Sequence, residues 1–152
     1  MIWFKKKIIL LDIDGVLSPL GAIDGLVTKI NMDWAYLSIP DSLLSLLIKI
    51  SKHDVRWIST WGDLSNKINK KIEINVFPIV DIENNKSILW LKDVELIKFC
   101  KRNKRKDILI IDDEVHPDSE LFNLRNVTIV KPNYLTGINT KEEADIRKWI
   151  KK

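Results

Sequence analysis

Residues 8–11 and 108–111 are continuous apolar runs with no polar alternation. That is the pattern of strands buried on both faces at the centre of a parallel sheet. Residues 55–59, 76–82 and 127–130 read as further strands, and Pro78 assigns the run 76–82 to a sheet edge. Between the strands the period changes to that of a helix. Leu43, Leu46, Leu47 and Ile50 fall at i, i+3, i+4 and i+7 behind Pro40, Asp41 and Ser42, which open the helix. A second helix covers 64–72. A third runs from Lys86 to about Arg102, with Trp90, Val94 and Ile97 on one side. A short helix covers 118–124. In the last helix Ile146, Trp149 and Ile150 form the apolar stripe, and Thr140 with Glu143 makes a capping box. Residues 16–32 carry Pro19, Gly21 and Gly25 and no helical period, so they predict a turn and then an irregular or hairpin flap that continues through Trp34 and Tyr36.

Strands alternating with helices predict an α/β, three-layer Rossmann-like fold, a parallel sheet with helices on both faces. Right-handed crossovers carry the first three strands one way. A fourth strand returning beside the first gives the order 3-2-1-4-5, with the switch point between the strands at 8–11 and 108–111. No linker or internal repeat interrupts the 152 residues, and one domain over 1–152 is expected.

Composition narrows the classes. Hydrophobic and charged residues at 45% and 30% are those of a globular chain. No apolar stretch approaches the ~20 residues of a membrane span, and Ile2, Trp3 and Phe4 precede Lys5, Lys6 and Lys7, the reverse of a secretory signal. One cysteine, Cys100, excludes an internal disulfide and a cysteine-rich zinc site. The cytoplasm is the expected compartment. A net charge of +4 and a pI near 9.1 favour anionic partners. Each lysine run taken singly reads as a solvated face, and no nucleic-acid motif is present.

The chemistry concentrates where the two apolar runs end. Asp12 and Asp14 follow the first, with Gly15 supplying a backbone that can turn sharply; Asp112 and Asp113 follow the second. Neighbouring strands of one sheet would gather all four carboxylates at its carboxyl edge, where open α/β sheets place ligands. Such a cluster calls for a hard cation, and Mg²⁺ prefers carboxylate oxygens. Ser59 and Thr60 end another strand and could donate to a phosphate oxygen, though both are also ordinary caps. Lys86 at a helix start opposes the helix dipole. Trp34 or Tyr36 on the flap could stack on a substrate ring.

Together these pieces resemble the haloacid dehalogenase-like phosphohydrolases over about residues 8–150. Asp12-Ile13-Asp14-Gly15-Val16 matches the first motif, Ser59 the second, Lys86 the third and Asp112-Asp113 the fourth. The pattern Lys86-x-x-x-Trp90 looks like the nucleotidase branch. WISTWGD, IIDDE and the TGI loop look like the small domain associated with RNA-repair proteins. The resemblance implies a capless, Mg²⁺-dependent phosphomonoesterase working through an aspartyl-phosphate, with Asp12 as nucleophile and Asp14 as acid and base. It assigns the cation to the Asp12 carboxylate, the Asp14 backbone carbonyl and Asp113, with Asp112 a second ligand or an orienter of Lys86. Ser59, Thr60 and Lys86 then bind phosphate. A nucleotide or nucleic-acid end is the expected substrate. A phosphoprotein, a sugar phosphate or a non-catalytic binding role are the alternatives.

Overall fold

The computed structural model describes residues 6–74, 76–78 and 89–152. Among these residues seven strands and four α-helices follow one another as β1 (Lys7–Leu11), β2 (Val27–Asn31), β3 (Tyr36–Pro40), α1 (Leu44–Ile50), β4 (Asp54–Trp57), α2 (Asn66–Ile72), β5 (Phe77–Pro78), α3 (Leu89–Arg102), β6 (Asp107–Ile111), β7 (Val127–Val130) and α4 (Thr140–Lys151). Five strands form one parallel sheet in the order β5-β4-β1-β6-β7. β2 and β3 form a separate antiparallel hairpin.

Side-chain alternation along β1 divides the core between the two faces of the sheet. Ile9 and Leu11 pack with Leu46 and Leu47 of α1, Ile68 of α2 and Ile146 and Trp149 of α4. Ile8 and Leu10 pack on the other face with Leu96, Phe99 and Cys100 of α3 and with Leu121. Residues 8–11 and 108–111 are all fully buried, which is why neither run alternates. Among the described residues β5 pairs through Phe77 and Pro78 and stands at the edge of the sheet, where a proline's missing N–H is tolerated.

Several boundaries differ from the sequence reading. Asp41–Leu43 and Gly62–Ser65 are 3-10 turns that lead into α1 and α2, and the expected helix over 118–124 is a 3-10 turn at Glu120–Asn123. α4 is capped one residue early. The Asn139 side chain accepts from the N–H groups of Lys141 and Glu142, and Glu142 accepts from Asn139 N, so Thr140 and Glu143 are not the box. Asn139 wins because its backbone is extended, as an N-cap must be, while Thr140 is already helical. Among the described side chains of α3 the buried ones are Lys92, Leu96, Phe99 and Cys100, while Val94 and Ile97 are half-buried, and the Trp90 side chain lies outside the described residues. The expected start of that helix, Lys86, falls outside the described residues, as do 79–82 of the expected third strand. No helix among the described residues is long and apolar enough to cross a membrane.

Candidate active site at the carboxyl edge of the sheet

β1 and β6 pair in equal register, Ile8 with Ile108 through Leu11 with Ile111. Asp12 and Asp112 therefore leave the sheet side by side. The Asp12 N–H still donates to Ile111 O, and the Asp112 N–H to Val130 O. Both follow the even-numbered positions of their strands, so both face the α3 side. There Lys92, in the first turn of α3, reaches down between them. Its Nζ lies 2.7 Å from Asp12 Oδ2 and 2.8 Å from Asp112 Oδ2, and all three side chains are buried.

Lys92 is the residue the sequence reading missed. The signal was present: with Leu96, Phe99 and Cys100 it falls at i, i+4, i+7 and i+8, the buried stripe of α3. A lysine on that stripe needs a partner, because a buried unpaired charge is too costly to keep.

One ammonium cannot balance two buried carboxylates. Burial alone would lower the Lys92 pKa, but Asp12 and Asp112 outweigh it and hold the ammonium above the ordinary lysine range. That would favour an ionised Asp12, yet burial and the charge of Asp112 exceed what Lys92 returns and push the Asp12 carboxyl up to about 8. The surplus of negative charge makes the upward direction on Asp12 the expected one. Asp14 is also raised, chiefly by burial. Asp113 rises to about 6 through burial and the nearby charges of Asp112 and Glu114. Three carboxyl groups displaced the same way signal a shortage of positive charge.

The donor set fits a divalent cation. Oxygens of Asp12, Asp112 and Glu114 all come within 4.8 Å of one another. Asp113 Oδ1 is buried and has no hydrogen-bond partner among the described residues. Asp113 occupies the space that a side chain on residue 15 would fill. A Cβ on Gly15, whose φ is +69°, would stand 2.6 Å from Asp113 Oδ2. Gly15→Ala is expected to add about 1–2 kcal/mol of backbone strain and to displace Asp113. Magnesium titration by calorimetry should show weaker binding than the parent, and unchanged affinity would remove Asp113 from the cation site.

Asp14 is turned differently. Trp61 Nε1 donates to Asp14 Oδ2 at 2.7 Å, and the Trp61 ring stacks on Trp34 of the flap with centroids 4.8 Å apart and planes at 19°. Lys67 of α2 pairs with Asp33 at the hairpin turn. Ser18 Oγ accepts from the Ser38 N–H of β3. The flap is thus joined to the loop carrying Asp14 and to the segment after β4. Trp34 nevertheless remains 76% exposed, with Tyr36 also exposed.

Of the other expected residues, Ser59 lies at the same edge. Ile58 N donates to Leu11 O, so Ser59 follows Ile58 beside Asp12, buried, with its Oγ accepting from Trp61 N at 3.3 Å. Thr60 is exposed. Lys86 lies outside the described residues. No family model matches the chain, and no curated protein does.

Proposed function

We propose that the chain is a haloacid dehalogenase-like, divalent-cation-dependent phosphomonoesterase, acting in the cytoplasm on a nucleotide or a nucleic-acid end. The reading rests on one observation above all. A buried carboxylate at the end of a central strand is flanked by a lysine and a second carboxylate, and Asp14 stands two residues away in a different environment. A nucleophile and an acid–base group need environments that separate their roles.

In this reading an Asp12 carboxylate oxygen attacks phosphorus, and the bond from phosphorus to the ester oxygen breaks. Asp14 gives its proton to the departing oxygen. Burial raises Asp14, a shift that favours its protonated form as the acid. In the second half Asp14 takes a proton from water, whose oxygen attacks the acyl-phosphate phosphorus and releases Asp12. In this reading Lys92 and Ser59 neutralise phosphoryl oxygens. Carboxylates of Asp12, Asp112, Asp113 and Glu114 and the carbonyl of Asp14 are the groups that would hold Mg²⁺. The cation, when bound, supplies charge neutralisation for the phosphoryl group.

The nucleotide preference is supported by Trp34, which remains largely exposed while one face stacks on Trp61, the donor to Asp14. A base has the planar surface that such a ring takes up, and stacking of this kind is worth ~1–3 kcal/mol per base.

The test is phosphate release from nucleoside 5′- and 3′-monophosphates, 3′-phosphorylated oligonucleotides, phosphopeptides and sugar phosphates, with Mg²⁺ and with EDTA. Metal-dependent release confined to nucleotides or oligonucleotides is expected. Release confined to phosphopeptides or sugar phosphates would refute the substrate class. No release from folded, Mg²⁺-binding protein would favour a binding role. Trp61→Phe keeps a ring for Trp34 but loses the N–H to Asp14. Its kcat is expected to fall about tenfold or more, part of the ~10²–10⁴ that acid–base help provides, with KM nearly unchanged. A change in KM alone would assign Trp61 to substrate binding instead.

A further inference from the structure

In a parallel sheet all strands start at one edge, and the helices that precede them end there. In this chain that amino edge, opposite Asp12, gathers the basic runs. Lys6 and Lys7 stand at the start of β1, Lys49 and Lys52 at the end of α1, and residues 101–107, from the last turn of α3 to the first residue of β6, hold five lysines and arginines against one aspartate. Arg125 precedes β7, and α4 ends in Lys151 and Lys152.

Cross-links confirm that these segments, distant in sequence, meet. Asn126 Nδ2 donates to the carbonyls of Asn103 and Lys106, joining the start of β7 to the basic turn. Lys7 Nζ donates to the carbonyls of Trp149 and Ile150, joining β1 to the end of α4. His53 is held below the ordinary histidine range by burial and then by Lys7 and Lys49, so cations of two segments bear on one imidazole. Lys7, Arg125, Asn126, Thr128 and Lys152 line a cleft of ≈190 Å³ there, with Asp107 and Trp149.

Cations near helix C-termini complement the helix dipole, which accounts for Lys49, Lys101 and Lys151. It does not account for Lys6, Lys104, Arg105 or Arg125, which stand in no helix and are exposed. The opposite edge carries Asp12, Asp14, Asp112, Asp113 and Glu114. The exposed cations gathered at the amino edge therefore favour a polyanion there.

We propose that the amino edge is a docking surface for a nucleic-acid strand, held by its phosphate backbone. A membrane surface is the poorer fit. Contact with lipid draws on apolar side chains beside the cations, and the exposed large apolar residues lie mostly on the flap and carboxyl-edge loops, Trp34 and Tyr134 among them. The surface is independent of phosphatase chemistry, because none of its cations touches Asp12 or Asp14.

The test is fluorescence anisotropy of a labelled 20-nucleotide single-stranded RNA of mixed sequence, from 25 to 250 mM salt, with phosphatidylserine vesicles in a parallel sedimentation assay. Binding at low salt that weakens steeply with salt is expected. Lys104→Glu with Arg105→Glu should weaken binding about tenfold or more and lower the log–log salt slope by ~1.4, at ~0.7 per lost single-strand contact. Lys52→Glu with Arg125→Glu alters two other segments and should act in the same direction; thermal melting identifies the variants that remain folded. Absence of RNA binding at 25 mM salt overturns the proposal, as does parent-like binding by either folded variant. Tighter association with vesicles than with RNA overturns the choice of nucleic acid.

Discussion

Asp12→Asn is expected to abolish phosphate release, by at least roughly 10⁴-fold, while leaving the fold intact. Losses of this scale follow when a member of a nucleophilic unit is removed. The amide keeps the shape of the carboxylate but cannot attack phosphorus. Its effect on stability has the opposite sign to that of an ordinary buried substitution. Asp12 and Asp112 share one ammonium, so removing one carboxylate relieves a buried excess of negative charge. The melting temperature without metal should stay level or rise. The pH dependence supplies a second readout. The Asp12 carboxyl, at about 8 in the fold against 3.8 for its ordinary value, keeps its proton where the unfolded chain has released it. The metal-free parent should therefore lose stability as pH rises from the ordinary carboxylate range through about 8, since the folded state binds the extra proton. Asp12→Asn should lack that part of the slope. Normal turnover in the variant would remove Asp12 as nucleophile, and an unchanged slope would remove it as the group that titrates.

Lys92→Met is expected to lose both activity and stability. The methionine fills most of the lysine's volume, so the change is one of charge. Asp12 and Asp112 then stand together with no cation between them, and an uncompensated buried charge costs about 3–5 kcal/mol. In a chain of this length that is on the order of 10 °C in melting temperature. Lowering the pH should recover part of the loss, because a carboxyl that must hold its proton in the fold costs less once the unfolded chain takes up the same proton. A variant that melts with the parent at neutral pH would show that Lys92 is not what holds the two acids together. The contrast is the useful part: Asp12→Asn and Lys92→Met both stop turnover, but only the second unfolds easily.

Much of the fold was legible because burial on both faces leaves a plain trace. The runs 8–11 and 108–111 could be nothing but apolar at the centre of a parallel sheet, and their terminal acids stood out against them. The edge strand was marked by Pro78. Boundaries were less legible. A 3-10 turn and the first turn of an α-helix use the same residues, so Asp41–Leu43 and Gly62–Ser65 read as helix. At α4 both Asn139 and Thr140 are good caps with a glutamate three residues on, and only the extended backbone at Asn139 decides between them.

The candidate site divides in the same way. The sequence alone marked Asp12, Asp14, Asp112 and Asp113 as acids at the ends of apolar runs; each pair by itself also fits an ordinary turn, and only two such pairs on neighbouring strands make a cluster. Ser59 followed from its place at the end of a third strand. The tertiary structure decided what those acids meet. Lys92 is eighty residues from Asp12, and only the packing of α3 against β1 and β6 makes it their common partner. Trp61 and Trp34 belong to different segments and become one stack only when the hairpin folds over the edge. The lysine runs, each a solvated face in the linear chain, become one charged surface because a parallel topology brings every strand start to the same side. Local pattern reports burial and period; which charges end up together depends on register and crossover, and these are properties of the assembled sheet.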